Sequence, residues 1–416
     1  MMNRIELLAP AGSLDKLKVA VDFGADAVYI GGKEFSLRAR ANNFSIDDIK
    51  EGVIYAHNKG SKVYVTCNVL PHNDEINEGN RLVEYLKELE NIGVDAIIAS
   101  SIYIIDECIK NCKRMEAHIS TQASVLNSLA CEGYYEMGAK RVVLAREASI
   151  NDIKNIRNKL NEKNINVGLE VFIHGGMCSS FSGRCMLSNH MVNRDANRGG
   201  CAHSCRWNYD LYEFGGSEKL NKDCYFNFAS RDLSSVNYIR ALIEAGVDSL
   251  KIEGRMKSEY YIATIVRSYR KLIDAIYENK DNEKLMNEVN DEINRAENRL
   301  TSHGFLDGTI TTNEQLYDSN DHPTKEFVGR IKYIDLEKNE VRLTQRNYFA
   351  VNDTISFFNR DKQYNYVVKR IYNNKYEEVD AARHAEEEII IIDEELVNVL
   401  KGYKDTILIR LLIDKK

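Results

Sequence analysis

Short apolar runs alternate with amphipathic helical patterns along roughly the first two thirds of the chain. Four runs share one plan, in which a glycine ends a helix and a buried strand follows after two or three residues. They occupy residues 24–30, 93–99, 138–144 and 246–252. Residues 5–8, 62–67, 116–120 and 166–172 are similarly apolar and separated by helical stretches. The pattern therefore predicts eight strands alternating with helices.

Eight β/α units predict a TIM (β/α)8-like barrel. A doubly wound open sheet is the alternative, but eight units over roughly 250 residues match the usual length of a closed barrel. We expect the barrel domain to cover residues 1–280, with a helical connector and linker over 281–324. From 325 to 416 the apolar pattern becomes two-fold, which predicts a small antiparallel β-barrel domain. Its predicted strands are the runs 327–334, 340–343, 354–358, 366–371, 388–392 and 406–412.

Polar residues follow most of the predicted barrel strands. The active sites of TIM barrels lie where strands lead into the following helices, so these residues are candidates for catalysis. The loop after the second strand adds two arginines, whose guanidinium groups suit bidentate capture of carboxylate or phosphate. Each residue alone also fits a structural ion pair or a helix cap, but together they predict an anion-binding mouth. The candidates are Arg38, Arg40, Asn68, Gln122, Arg146, Glu147, His174, Glu253 and Arg255.

A cysteine-rich insertion, residues 174–207, follows the seventh predicted strand. Cys178, Cys185, Cys201 and Cys205 are separated there by six, fifteen and three residues, among five glycines. Soft thiolate ligands favour zinc, copper(I) or an iron-sulfur cluster, whereas ordinary buried thiols are normally scattered over core faces. Only the second pair has the close spacing usual for structural zinc, so an iron-sulfur cluster and zinc both stay open. We leave Cys224 unassigned.

The insertion resembles the peptidase U32 family. The family signature runs Glu-x-Phe-x-x-Gly, a small residue, an aliphatic residue and Cys, then Gly-x-Cys-x-aliphatic-Ser. The resemblance extends over the amino-terminal three quarters, including 8–12 and 251–255, and Gly176 replaces the usual serine or alanine. The matching positions are Glu170, Phe172, Gly175, Met177, Cys178, Gly183, Cys185, Leu187 and Ser188.

This resemblance implies an RNA-modifying enzyme. Relatives include oxygen-independent hydroxylases, and the length and second domain are most similar to the branch that makes 5-hydroxyuridine at the wobble position of tRNA, with prephenate as hydroxyl donor. It implies that the four cysteines bind an iron-sulfur cluster, 4Fe-4S in type, beside the anticodon loop of the bound tRNA. The carboxyl-terminal domain resembles the barrels of translation factors.

The resemblance leaves three alternatives open. One is hydroxylation of a 23S rRNA cytidine, and a second is the collagenase-like peptidase activity after which the family was named. The chain has neither a Gly-x-Ser-x-Gly elbow nor a His-Glu-x-x-His zinc pair, so peptidase activity lacks a motif. A third is an assembly partner with a purely structural cluster, since some relatives act with a paralogous U32 subunit.

Composition predicts the binding partners of the protein and the compartment in which it works. The net charge of −7 argues against a globally basic nucleic-acid binder, but residues 174–207 carry four arginines against one aspartate. Nine cysteines, concentrated in one loop, indicate metal ligands and spare thiols in a reducing compartment, which predicts a cytoplasmic protein. No run of eighteen apolar residues occurs, so we expect no membrane span.

Overall fold

A closed parallel barrel forms the larger part of the molecule. The computed structural model describes residues 4–37, 43–76, 80–220, 225–228, 230–296, 299–308, 316–317, 326–383 and 388–412. The barrel strands are β1 (Glu6–Pro10), β2 (Ala27–Gly31), β3 (Lys62–Thr66), β4 (Ala96–Ala99), β5 (Glu116–Ile119), β6 (Arg141–Val143), β7 (Gly168–Gly175) and, after two short strands β8 (Tyr225–Phe226) and β9 (Asp232–Ser234), β10 (Ser249–Ile252). Neighbours pair in parallel, and β10 pairs with both β7 and β1, which closes the barrel. The predicted TIM-like barrel is confirmed.

Helices connect consecutive barrel strands, and their ends follow the sequence signals. Serine side chains cap several of them, with capping boxes at Ser45 and Ser149. Gly24, Gly93 and Gly138 have positive φ angles of 107°, 98° and 109°, as the repeated plan predicts. The helices are α1 (Leu14–Asp22), α2 (Ile46–Asn58), α3 (Asn73–Ile76), α4 (Arg81–Ile92), α5 (Ile102–Asn111), α6 (Ser128–Glu136), α7 (Ile150–Glu162), α8 (Leu187–Val192), α9 (Ile239–Glu244), α10 (Glu259–Tyr277) and α11 (Glu283–Ala296).

The interior of the barrel contains paired charges as well as apolar side chains. Glu170 is fully buried, and its carboxylate lies 2.7 Å from Lys251 Nζ and 3.2 Å from Arg141 Nη1. Arg141 also pairs with Glu6, which accepts a 2.6 Å hydrogen bond from the Tyr64 hydroxyl. Burial opposes the charged form of Glu170, but Lys251 and Arg141 outweigh it and lower the pKa of this carboxyl. The signature glutamate is thus part of an interior ion-pair network.

The carboxyl-terminal domain is a curled antiparallel sheet. The short strands β11 (Thr301–Ser302) and β12 (Leu316–Tyr317) precede it, pairing with β9 and β8, and helix α12 (Glu394–Leu400) packs on it. The order in the sheet is β17-β16-β22-β13-β14-β21-β18-β19, while β15 pairs with β20. The strands are β13 (Phe327–Asp335), β14 (Glu340–Gln345), β15 (Phe349–Ala350), β16 (Thr354–Phe358), β17 (Gln363–Val367), β18 (Ile371–Tyr372), β19 (Glu378–Val379), β20 (Ala381–Ala382), β21 (Glu388–Ile392) and β22 (Leu408–Leu411).

The two domains share a packed interface. Phe358 and Leu408 belong to the same hydrophobic core as the barrel helices, and the Tyr260 ring stacks on Phe327 with centroids 5.5 Å apart. Arg410 and Glu292 form a bidentate ion pair at 2.7 and 3.1 Å. The small domain therefore lies against the outer helices of the barrel. None of the helices in the described ranges is long and apolar enough to cross a bilayer.

Candidate functional site

The cysteine loop lies over the carboxyl-terminal mouth of the barrel. Arg146, which follows β6, donates from Nη1 to the Gly176 carbonyl at 2.6 Å. Arg184 in the loop donates from Nε to the carbonyl of Gln122, after β5, also at 2.6 Å. The Leu70 amide, after β3, donates to the Asn197 carbonyl at 3.3 Å. These contacts attach the loop to the ends of several strands, which is where TIM barrels carry their active sites.

Glu147 is a further attachment point. Its carboxylate accepts hydrogen bonds from the amide of Ser182 at 2.8 Å and from the hydroxyl at 2.5 Å. Ser182 has a positive φ of 48°, a conformation that few residues other than glycine adopt. Charge-assisted hydrogen bonds are stronger than neutral ones, and two of them hold this strained turn in place.

Gly175 sets the direction in which the loop leaves β7. Its φ is +102°, and a Cβ atom there would lie 2.6 Å from the carbonyl oxygen of Glu253. The Glu253 side chain accepts a 3.4 Å hydrogen bond from the Gly176 amide. Only glycine fits this close approach of two backbone segments, which explains the signature glycine physically.

Arg255 reaches from the loop after β10 toward the segments after β2 and β3. It is buried, and Nη1 donates to the hydroxyls of Ser36 and Thr66 at 3.2 and 3.0 Å. Nη2 donates to the side-chain oxygen of Asn43 at 3.0 Å. The geometry places a guanidinium inside the mouth, and its part in anion binding stays a prediction.

Asn68 and Gln122 join neighbouring parts of the rim. Asn68 Nδ2 donates to Gln122 Oε1 at 3.1 Å, and Asn68 Oδ1 accepts from the Leu37 amide at 3.1 Å. The carbonyl of Asn68 accepts from the Ser100 hydroxyl at 3.2 Å. The structure thus brings together the residues after β3, β4 and β5, and one hydrogen-bond chain fixes their positions.

His174 is placed differently from the other candidates. Its ring packs against Tyr261 and Tyr269 of α10, and Nδ1 lies 3.1 Å from the Tyr269 hydroxyl. The pairing of β7 with β10 shifts register between Phe172 and His174, which changes the face on which His174 lies. This buried position favours a structural role, so a catalytic role of His174 remains only a prediction.

The arginines of the second loop, Arg38 and Arg40, lie outside the described residues, as does Cys224. The part of these two arginines in an anion-binding mouth stays a prediction.

Sequence reasoning missed Asp232 of β9. This carboxylate is fully buried and lies 3.1 Å from Arg206, 3.5 Å from Arg299 and 4.0 Å from Lys257. Arg206 immediately follows Cys205 and also donates to the Met177 carbonyl at 2.8 Å. Asp232 therefore anchors both ends of the cysteine loop. No spacing or periodicity in the sequence indicates the role of Asp232, because its ion pairs join segments that are distant in the sequence.

The four cysteines lie in one loop with different exposure. Cys201 is exposed, whereas Cys178, Cys185 and Cys205 are half-buried. Burial raises the pKa of the Cys205 thiol, and the nearby Cys178 and Cys201 thiols add to the rise. Thiolates that repel one another in this way are stabilised by a cation between them, so the donor chemistry of these three fits a metal centre.

The sulfurs are not yet arranged as a ligand set. Among the described residues, no group of three or more histidine, cysteine, aspartate or glutamate side chains converges closely enough to hold a metal ion. The Cys185 sulfur instead accepts a 3.3 Å hydrogen bond from the Leu187 amide. Convergence of all four on a single centre therefore stays a prediction.

Comparison with known proteins identifies the family. The model described as peptidase family U32 matches residues 12–316, and the model of the peptidase family U32 C-terminal domain matches residues 323–410. The chain belongs to peptidase family U32. The resemblance expected from the cysteine loop is confirmed, and both domains are included in it.

Several relatives within the family carry names that denote RNA modification. "tRNA hydroxylation protein P1" of Bacillus subtilis is 43% identical over 91% of this chain and 89% of its own length. "tRNA hydroxylation protein P" of Helicobacter pylori strain 26695 is 39% identical over 74% of this chain and 72% of its own. The "23S rRNA 5-hydroxycytidine C2501 synthase" of Escherichia coli is 35% identical over 74% of this chain and 44% of its own.

Proposed function

We propose that this protein is an RNA hydroxylase that modifies tRNA, forming 5-hydroxyuridine at the wobble position. The observation that carries the proposal is the 43% identity with a tRNA hydroxylation protein across 91% of the chain, which includes both domains. The geometry supports it, because the mouth combines a buried guanidinium with a loop rich in arginine and cysteine. Anticodon bases are unpaired and can be presented to such a mouth.

We further propose that Cys178, Cys185, Cys201 and Cys205 hold an iron-sulfur cluster of the 4Fe-4S type. Zinc is the alternative, since thiolates select both. The spacing of the four cysteines within one glycine-rich loop supports a shared centre, and Cys178 and Cys201 contribute, after burial, to the raised pKa of the Cys205 thiol. A bound cluster would supply redox or Lewis-acid chemistry at the mouth. The protein's own residues position the loop, through Glu147, Asp232 and Gly175.

The hydroxyl donor in this proposal is prephenate, a dicarboxylate, and the reaction needs no molecular oxygen. Arg255 supports this, because Ser36, Thr66 and Asn43 hold its buried guanidinium inside the mouth. Arg146 lies with its guanidinium 4.0 Å from the centroid of the Phe172 ring, at the same rim. We assign these two arginines to carboxylate binding, with Arg38 and Arg40 as further candidates.

Nucleoside analysis of tRNA tests the function. A deletion strain should lose 5-hydroxyuridine and its derivatives, and expression of the wild-type chain should restore them. Growth without oxygen should leave the modification in place, whereas loss of prephenate synthesis should remove it. Unchanged tRNA modification in the deletion strain, together with loss of a hydroxylated cytidine in 23S rRNA, would favour the rRNA alternative instead.

Metal analysis tests the cluster separately. Anaerobically purified protein should contain iron and sulfide and absorb at about 400 nm, the range of thiolate-to-iron charge transfer. Cys201→Ala should remove this absorbance, whereas Cys131→Ala, at a buried helical thiol, should retain it. Colourless wild-type protein with stoichiometric zinc would overturn the cluster assignment.

The remaining alternatives are distinguished by simple measurements. The family name favours a peptidase, and cleavage of collagen or casein by purified protein would support it. Restoration of tRNA modification only with a co-expressed paralogous U32 subunit would make the chain an assembly partner. Because tRNA is the proposed substrate, we place the enzyme in the cytoplasm.

A further inference from the structure

An exposed apolar surface borders the mouth. Nine of the 22 large hydrophobic side chains that are exposed among the described residues lie between positions 181 and 228, on the cysteine loop and the adjoining hairpin. Clusters of exposed apolar side chains on a folded protein mark interaction sites, whereas scattered ones need no explanation. The nine are Phe181, Met186, Met191, Val192, Trp207, Tyr212, Phe214, Leu220 and Phe228.

The aromatic part of this surface has a defined base. Tyr209 and Phe226 exchange two backbone hydrogen bonds of 3.0 and 2.9 Å, in an antiparallel bridge. The ring of Phe228 packs edge-on against both, with centroids 5.0 Å from Tyr209 and 4.9 Å from Phe226. Phe228 remains 46% exposed, and Trp207, two residues before Tyr209, is 41% exposed. Two aromatic rings thus reach solvent from a packed support.

This support is joined to the cysteine loop. The Tyr209 hydroxyl donates to the Ser204 carbonyl at 2.8 Å, and the Trp207 amide donates to the same carbonyl at 3.2 Å. Trp207 is two residues from Cys205, and Arg206 between them is fixed by Asp232. The exposed rings therefore stand beside the proposed centre and not on a distant face.

The charge around the rings indicates the kind of partner. The loop 174–207 has four arginines and one aspartate in a chain whose net charge is −7. Arg184 and Arg198 are exposed. The described hairpin residues after Trp207 are acidic, with Asp210, Glu213 and Glu218 against Lys219, so attraction for phosphate comes from the loop. Exposed aromatic rings next to a local basic surface are the features that bind single-stranded nucleic acid.

We propose that Trp207 and Phe228 form a stacking surface for unpaired nucleotides of the substrate RNA, next to the base that enters the mouth. Their rings stack on bases while the loop arginines contact phosphates. The proposal rests on the proposed function for the identity of the RNA. It adds the residues that select an unpaired over a paired RNA segment, since bases within a duplex are not available for stacking on side chains.

The chain offers a direct reporter, because Trp207 is its single tryptophan. Titration of full-length wild-type protein with a synthetic anticodon stem-loop should quench the tryptophan fluorescence. A blunt duplex of the same length should quench it far less. Equal quenching by the duplex, or none by the stem-loop, would overturn the proposal.

Binding of labelled stem-loop provides a second measurement. Trp207→Ala and Phe228→Ala should each raise the dissociation constant by roughly 5- to 100-fold, the effect of losing one base-aromatic stack. Trp207→Phe should retain most of the affinity, since a ring remains. Tyr348→Ala is the matched control, because Tyr348 is 51% exposed on the other domain and should leave binding unchanged. Thermal unfolding shows whether each variant is folded.

The outcomes separate this proposal from the proposed function. Quenching by the stem-loop with unchanged tRNA in the deletion strain would support the stacking surface and contradict tRNA hydroxylation. Wild-type levels of tRNA hydroxylation by the folded Trp207→Ala and Phe228→Ala variants would support tRNA hydroxylation and contradict the stacking surface. Loss of self-association or of paralogue binding in these variants, with RNA affinity unchanged, would make the surface a protein interface and overturn the proposal.

Discussion

The interior of the barrel and its mouth are both rich in charged side chains, but two arginines at the mouth have a different kind of partner from the charges inside. In the interior, Glu170 lies between Lys251 and Arg141, so opposite charges neutralise one another out of solvent. At the mouth, Arg146 and Arg184 donate to backbone carbonyls of the loop and of the rim. Those contacts position the loop without neutralising the arginines. The comparison shows that a charged residue near a barrel centre is informative about function only once its partner is known.

The largest expected effect tests the interior. Glu170→Ala should lower the free energy of unfolding by about 3–5 kcal/mol, because it leaves the buried Lys251 without its carboxylate and removes one of the two carboxylates that pair with Arg141. Urea denaturation measures this. Glu51→Ala is the control, since the exposed Lys18–Glu51 pair should contribute less than about 1 kcal/mol. Equal losses in the free energy of unfolding would mean that the interior ion pairs contribute no more to stability than a surface pair.

A second variant tests the exit of the loop from the barrel. Gly175→Ala should cost about 2–4 kcal/mol, since it combines a positive φ with a clash against the Glu253 backbone. Gly60→Ala is the matched control, because Gly60 has a φ of +77° with nothing within 4 Å of an added Cβ. Its cost should be limited to about 1–2 kcal/mol. If Gly175→Ala proved no more costly, the close approach of loop and strand would not constrain the mouth.

A third variant separates local from global stability. Ser182→Ala removes the hydroxyl donor to Glu147 and should make local opening of the loop easier by about 1.5–3 kcal/mol. Hydrogen exchange should be faster around residue 182, while the global free energy of unfolding should change little. Ser149→Ala, which removes a helix cap in α7, should instead increase exchange at the start of that helix. Uniform loss of protection in both variants would contradict local attachment.

The smallest effect is a pH dependence that belongs to the interior. Burial lowers the pKa of His118, and the Glu116 carboxylate only partly offsets this. A histidine whose folded pKa is depressed takes up a proton on unfolding, so its contribution to stability is present above pH ~6.5 and is lost as the pH falls toward the folded pKa. The loss should approach about 1.4 kcal/mol per pH unit.

His118→Gln should flatten this slope in urea denaturation between about pH 6.5 and 5.5. His303→Gln, at a more exposed histidine paired with Asp307, should preserve it. An unchanged slope in the His118 variant would mean that another group causes the acid sensitivity.

Much of the fold could be predicted from the sequence because its signals are local. The glycine that ends a helix before a strand recurs at Gly24, Gly93 and Gly138, and each has the left-handed backbone that the pattern requires. The strands Thr354–Phe358 and Glu388–Ile392 also match the predicted runs 354–358 and 388–392. The predicted run 366–371 is wrong as a single strand, because residues 368–370 lie outside both β17 and β18.

Some missed features had a signal and others had none. Helix α12 follows Asp393, whose side chain accepts from the Leu396 amide, and two glutamates open the helix, so its start was readable. The burial of His174 was not readable, because it depends on a register shift between two distant strands. The role of Asp232 could not be predicted either, because its ion-pair partners come from three separate segments of the chain. Local sequence rules predict helices and strands, whereas the site depends on contacts between segments that are distant in the sequence.

The attachment of the cysteine loop has a consequence for biosynthesis. The residues that attach the loop follow β3, β5, β6 and β10, and β10 ends about 45 residues after the loop. A growing chain therefore exposes the loop cysteines before β10, the last barrel strand, has left the ribosome. Loading of the proposed metal centre in its final setting would therefore follow closure of the barrel.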